Sequence, residues 1–141
     1  MSRVLAVDWG TRRVGLALSD PSGRLARPLE TLTVRSAEDA AAGVARTAAR
    51  EGVRCIVVGL PFRPSGDEGS AARGARRLGE ALKEQGYQVE FVDERWTSEE
   101  ARELAVAKGE RRGDKGRLDQ LAALLLLQHY LDRVGPEDGH A

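Results

Sequence analysis

The chain has 141 residues, 41% of them hydrophobic and 31% charged, a composition that fits one soluble globular domain and excludes wholesale disorder. Lys plus Arg number 22, as do Asp plus Glu, so the net charge is zero and any hold on nucleic acid has to come from local charge. The single cysteine, Cys55, rules out an internal disulfide, and His129 and His140 are too far apart for a zinc site of ordinary spacing.

Arg3 to Asp8 reads as a strand, because Val4-Leu5-Ala6-Val7 is an unbroken apolar run of the kind covered on both faces. Trp9-Gly10-Thr11 reads as a turn in which Gly10 is free to take a positive φ. Val14 to Leu18 is the second strand of the resulting hairpin. Asp20-Pro21-Ser22-Gly23 is a turn, and Glu30 to Val34 is a third strand. Ser36 to Glu51 is a helix with Ser36 as N-cap and Asp39 completing a capping box.

Val53 to Leu60 is a fourth strand, with Cys55 reading as a buried small hydrophobe. A Pro- and Gly-rich loop spans residues 61–69. Ser70 to Gln85 is a helix ended by Gly86, and Gln88 to Val92 is a fifth strand. Thr97 or Ser98 caps a helix that runs to about Lys108, and Leu118 to Arg133 is a helix apolar enough to be largely buried. Residues 1–134 make one domain, and 135–141 are an expected disordered tail.

The order is that of an α/β fold. A mixed five-stranded sheet, its first three strands antiparallel and the rest parallel, carries helices on both faces. The chain opens on a strand and not on a charged-then-apolar leader, and Leu121–Leu127 is too short to cross a bilayer. A cytoplasmic location and no membrane partner are the expectations.

Asp8 ends strand one, Asp93 and Glu94 end strand five, and Asp119 lies in the first turn of the last helix. If strands one and five both run parallel to strand four, their ends share the edge where open α/β sheets place their sites. Converging carboxylates repel one another, and Mg²⁺ or Mn²⁺ relieves the repulsion through oxygen ligands. Two such ions about 3.5–4 Å apart activate water for phosphodiester hydrolysis and stabilise the leaving oxygen. Each acid also has a plain structural reading: a turn hydrogen bond, a helix-dipole partner or a surface ion pair.

Arg12 and Arg13 follow the Gly10 turn and Arg95 follows the acidic pair, all three placed to meet phosphate. Arg111, Arg112, Lys115 and Arg117 lie in a glycine-punctuated basic segment from Lys108 to Arg117, readable as a nucleic-acid contact or a solvated loop. Residues 66–69 precede a helix as a weak anion-site candidate without a Gly-Lys-Ser/Thr motif. Trp9 is readable as a base-stacking ring, though a core or rim aromatic is the favoured assignment.

Four segments resemble, in order, the motifs of the YqgF/RuvX family: Asp8-Trp9-Gly10-Thr11-Arg12-Arg13-Val14-Gly15-Leu16-Ala17, Val57-Val58-Gly59-Leu60-Pro61, Asp93-Glu94-Arg95-Trp96-Thr97-Ser98 and Lys115-Gly116-Arg117-Leu118-Asp119. The resemblance implies a ribonuclease H-like fold. It also implies a metal-dependent endonuclease, a hydrolase acting on the 5′ end of pre-16S ribosomal RNA or resolving Holliday junctions. Structured RNA or branched DNA and ribosomal precursor particles are the partners it brings; a homodimer is required only by the junction-resolving reading. The motif positions carry over onto Asp8, Glu94 and Asp119 as a catalytic and metal-binding triad, with Asp93 in reserve. Trp9 and Trp96 stand where Phe and Leu are commoner, Ser98 where Thr is, and the loop after Pro61 departs from the usual pattern.

Two other readings compete. Asp8-x-Gly-Thr also resembles the first phosphate loop of actin- and Hsp70-like ATPases, but those enclose ATP between two such domains and this chain supplies one. A non-catalytic nucleic-acid-binding or ribosome-assembly module is the second, disfavoured by retention of all three carboxylates.

Overall fold

The opening apolar run becomes β1 (Val4–Trp9), the middle strand of a five-stranded sheet. The structure, a computed structural model, describes residues 3–10, 12–60, 69–93 and 115–134, with the backbone alone for 115–119. The expected helix from Thr97 or Ser98 to Lys108, nearly all of the 61–69 loop and the 135–141 tail lie outside the described residues.

β2 (Arg13–Ser19) and β3 (Ala26–Thr33) extend the sheet on one side of β1, each antiparallel to its neighbour. β4 (Cys55–Leu60) and β5 (Gln88–Asp93) extend it on the other side, both parallel. The order is β3-β2-β1-β4-β5. The parallel joins are crossovers through α1 (Ala37–Glu51) and α2 (Ser70–Glu84), and α3 (Lys115–Val134) follows β5.

Alternation along the strands divides the core into two layers. Leu5, Val7, Leu16, Leu18, Ile56 and Val58 face α1 and α2. Ala6, Ala17 and Val57 face α3, where Ala123, Leu126 and Leu127 cover them. The small strand residues on that side let the long helix lie close to the sheet.

Local signals explain most boundaries. Ser36 caps α1 by accepting from the Asp39 amide at 3.0 Å, as expected. Asp39 reaches back one residue further than a capping box requires and accepts from the Arg35 amide at 2.9 Å. Gly52 ends α1 at φ 70, and the Val53 amide is used by the Ala48 carbonyl, so β4 starts at Cys55 and not at Val53. Gly86, at φ 97, ends α2 as expected. β3 begins at Ala26, earlier than its composition suggests, because pairing with β2 carries Arg27 and Pro28 into the ladder.

Gly10 corrects one expectation. Its φ is not positive. Its amide donates to the Arg13 carbonyl at 2.8 Å, closing the turn so tightly that a Cβ on Gly10 would stand 2.7 Å from that oxygen. Close approach, and not a left-handed conformation, is what calls for glycine here.

Candidate active site

Asp8 is the one buried acidic or basic side chain among the described residues, 7% exposed. The other two buried polar residues have local work: Ser19 Oγ accepts from the Val4 amide at 2.7 Å, and Thr47 Oγ1 donates to the Gly43 carbonyl at 3.2 Å. Asp8 lies near the C-terminal end of β1, in register with Gly15 of β2. Its alternation follows Ala6, so it belongs to the α3 side of the sheet. On β4, Gly59 comes one residue after Val58, the partner of Val7. Residues of one parity thus put a glycine on each strand beside Asp8.

The direction of α3 completes the geometry. Gln120 Nε2 donates to the Leu29 carbonyl at 2.7 Å, and Gln128 Oε1 accepts from the Ala26 amide at 3.0 Å. The helix therefore runs antiparallel to β3. Because β3 and β1 are both antiparallel to β2, α3 also opposes β1, and its N-terminal end comes to the edge where β1 finishes. Residue 119 is one turn ahead of Ala123, which packs in the layer with Ala6.

Asp93 ends β5 on that same edge, paired with Leu60. Its parity is that of Val89 and Phe91, which pack on the α2 side, whereas Val92 packs on the α3 side. Asp8 and Asp93 therefore share an edge but not a face. Arg12 is exposed in the β1–β2 turn, its carbonyl accepting from the Val34 amide at 2.8 Å. Arg13 is half-buried at the start of β2. Glu94, Arg95, Arg111 and Arg112 lie outside the described residues, as do the side chains of Lys115, Arg117 and Asp119. Among the described residues no three His, Cys, Asp or Glu side chains gather into a metal-sized group.

Trp9 faces the opposite way from Asp8. Its indole packs into the core layer beside Gly74 of α2, the core or rim position favoured from sequence. Cys55 is half-buried, and desolvation first, then the charge of Glu90, raise its thiol pKa, in keeping with an inert packing role. Gln120 went unnoticed in the sequence, although a lone amide ahead of Leu121-Ala122-Ala123 is a weak sign of a fixed polar contact.

This sheet order, with a buried aspartate on the central strand and a helix crossing the same face, defines a ribonuclease H-like α/β protein. Thermus thermophilus RuvC superposes with a TM-score of 0.57 at 20% identity, covering 95% of this chain and 97% of that chain. A fowlpox virus Holliday junction resolvase gives 0.59 at 10% identity, covering 94% and 99%. These likenesses are of fold.

Within that class the chain belongs to the RuvX family, whose model, described as Holliday junction resolvase, matches residues 2–133. A protein of Chloroflexus aggregans is 40% identical over 131 residues, covering 92% of each chain. One of Koribacter versatilis is 41% identical over 140 residues, covering 94% of this chain and 88% of that one. Both are described as proposed pre-16S rRNA nucleases. No helix among the described residues is long and apolar enough to cross a membrane.

Proposed function

We propose that this protein is a divalent-metal-dependent endonuclease that hydrolyses phosphodiesters of structured RNA, the 5′ end of precursor 16S rRNA being its substrate. The observation that carries the reading is Asp8: a buried carboxylate at the end of the central strand, on the face where the N-terminal end of α3 arrives. Asp8, Glu94 and Asp119 form the acidic set. The family motifs supply Glu94 and Asp119, and helical periodicity from Ala123 supports residue 119 on the sheet side. The parity of Asp93 favours Glu94 over it.

An all-carboxylate donor set fits a hard cation such as Mg²⁺ or Mn²⁺ and does not fit a soft one. Burial of Asp8 strengthens its attraction for a cation, because charges interact more strongly where water is excluded. When bound, the metal would acidify a water and neutralise charge on the phosphoryl oxygens. Asp8 would hold it at a fixed depth on a rigid strand. Arg12, Arg13, Arg95, Arg111, Arg112, Lys115 and Arg117 would meet backbone phosphates and set the register of the substrate. Residues 1–134 act as one domain in this reading, supported by the family match over 2–133, and the protein works in the cytoplasm on ribosomal precursor particles.

The relatives at about 40% identity favour RNA. The description of the family model favours a second substrate, a four-way DNA junction. That substrate is two-fold and requires a homodimer with two active sites. The test is cleavage of precursor 16S rRNA and of four-way junctions, with and without Mg²⁺ or Mn²⁺, by the parent and by Asp8→Asn. Metal-dependent RNA cleavage that falls at least about a hundredfold in Asp8→Asn, with substrate binding retained, is expected. Undiminished cleavage by that variant refutes the site, and cleavage of junctions alone by a dimer selects the second substrate.

A further inference from the structure

The β2–β3 ladder is irregular at one place. Gly15 pairs with Thr31 and Ala17 with Pro28, so Leu29 and Glu30 together oppose Leu16. Such a bulge takes a backbone group out of the ladder and turns it elsewhere. The Leu29 carbonyl is the acceptor of the 2.7 Å bond from Gln120. The flank of the bulge is Gly15, the cross-strand partner of Asp8, and Gln120 directly follows residue 119.

We propose that Gln120 is a positioning residue for the metal centre: the bulge carbonyl of Leu29 holds its amide and so fixes the first turns of α3 above the Asp8 edge. This rests on the reading of Asp119 as a metal ligand. A rigid bond one residue from a ligand limits how far that ligand's backbone can drift, and carboxylate sites lose affinity when a ligand moves by a fraction of an ångström.

α3 contains its own control. Gln128 anchors the same helix to the other end of β3, accepting from the Ala26 amide at 3.0 Å, and also donates to the Arg24 carbonyl in the preceding turn at 2.8 Å and to Asp132 Oδ1 at 3.0 Å. It sits two helical turns further from the Asp8 edge. Loss of either glutamine loosens the helix; only loss of Gln120 should loosen the metal site.

The experiment compares the full chain with Gln120→Met, Gln128→Met and Asp119→Asn, reading Mn²⁺ affinity by electron paramagnetic resonance and folding by thermal melts. Gln128→Met should lower Tm at least as much as Gln120→Met, because it removes more hydrogen bonds, while only Gln120→Met weakens Mn²⁺ binding, about tenfold. Parent-like Mn²⁺ affinity in Gln120→Met, or equal weakening by both glutamine variants, overturns the proposal. Weakened binding in Asp119→Asn with parent-like binding in Gln120→Met discards only the positioning role. Parent-like binding in Asp119→Asn discards the ligand reading and this proposal together.

Discussion

Trp9 and Gly74 interlock: a Cβ on Gly74 would stand 2.5 Å from Trp9 Nε1 and 2.7 Å from Cε2. The residue after Asp8 in the chain is thus clamped by α2 on the far side of the sheet, and the end of β1 is held from both faces. Gly79 makes a similar socket for Phe91, whose Cζ an added Cβ would meet. α2 carries two glycines in its interior because two aromatic rings press against it.

Gly74→Ala should therefore destabilise the protein by about 1–3 kcal/mol through overpacking, less the roughly 1 kcal/mol that alanine gains in a helix. The loss should shrink in a Trp9→Phe background, because the smaller ring leaves room. A double-mutant cycle by urea denaturation measures the coupling. Additive effects would show that the two positions do not meet.

Asp93 and Glu94 should separate in a cleavage assay. Asp93 has the parity of the α2 layer and Asp8 that of the α3 layer. Asp93→Asn should retain cleavage within about tenfold, whereas Glu94→Gln should lose a hundredfold or more. The reverse order would make Asp93 the ligand.

Alkaline stability should depend on Tyr130. Its hydroxyl donates to Glu90 Oε2 at 2.6 Å, and burial first, then that bond, raise its pKa well above the usual phenol range. The folded protein keeps a proton that the unfolded chain releases above about pH 10. Stability should therefore be full below that pH and fall as pH rises through it toward the folded pKa. The Cys55 thiol, also raised, adds loss of the same sign from about pH 8.5. Tyr130→Phe should flatten the part above pH 10 in denaturation curves taken from pH 8 to 11. An unchanged slope would exclude Tyr130 as its source.

Gly10→Ala should disturb the turn behind Asp8. The added methyl meets the Arg13 carbonyl, a backbone atom that cannot swing aside, so a cost of about 1–3 kcal/mol is expected. The melting temperature and the Mn²⁺ affinity should fall together. A melt indistinguishable from the parent would mean that the turn opens without cost.

Much of this could be read from residue order. Periods of two and 3.6, the Ser36 cap, Gly86 and the apolar runs are local signals, and they set out the alternation of strands and helices without reference to the fold. Asp8 at the end of an apolar strand was legible for the same reason, as were the four ordered family motifs. What stayed hidden depends on partners far apart in the chain. Residue order offers Gly10 a positive φ and does not reveal that the Arg13 carbonyl closes in on it. The opposite faces of Asp8 and Asp93 follow from a register running through β4, and the bulge at Leu29 is visible only once β3 is paired with β2. The bond from Gln120 joins residues 91 positions apart. Its place at the end of an apolar strand and the family motif marked Asp8 as the acid to watch; strand parity and the direction of α3, which only packing can fix, decided which face of the sheet it lies on.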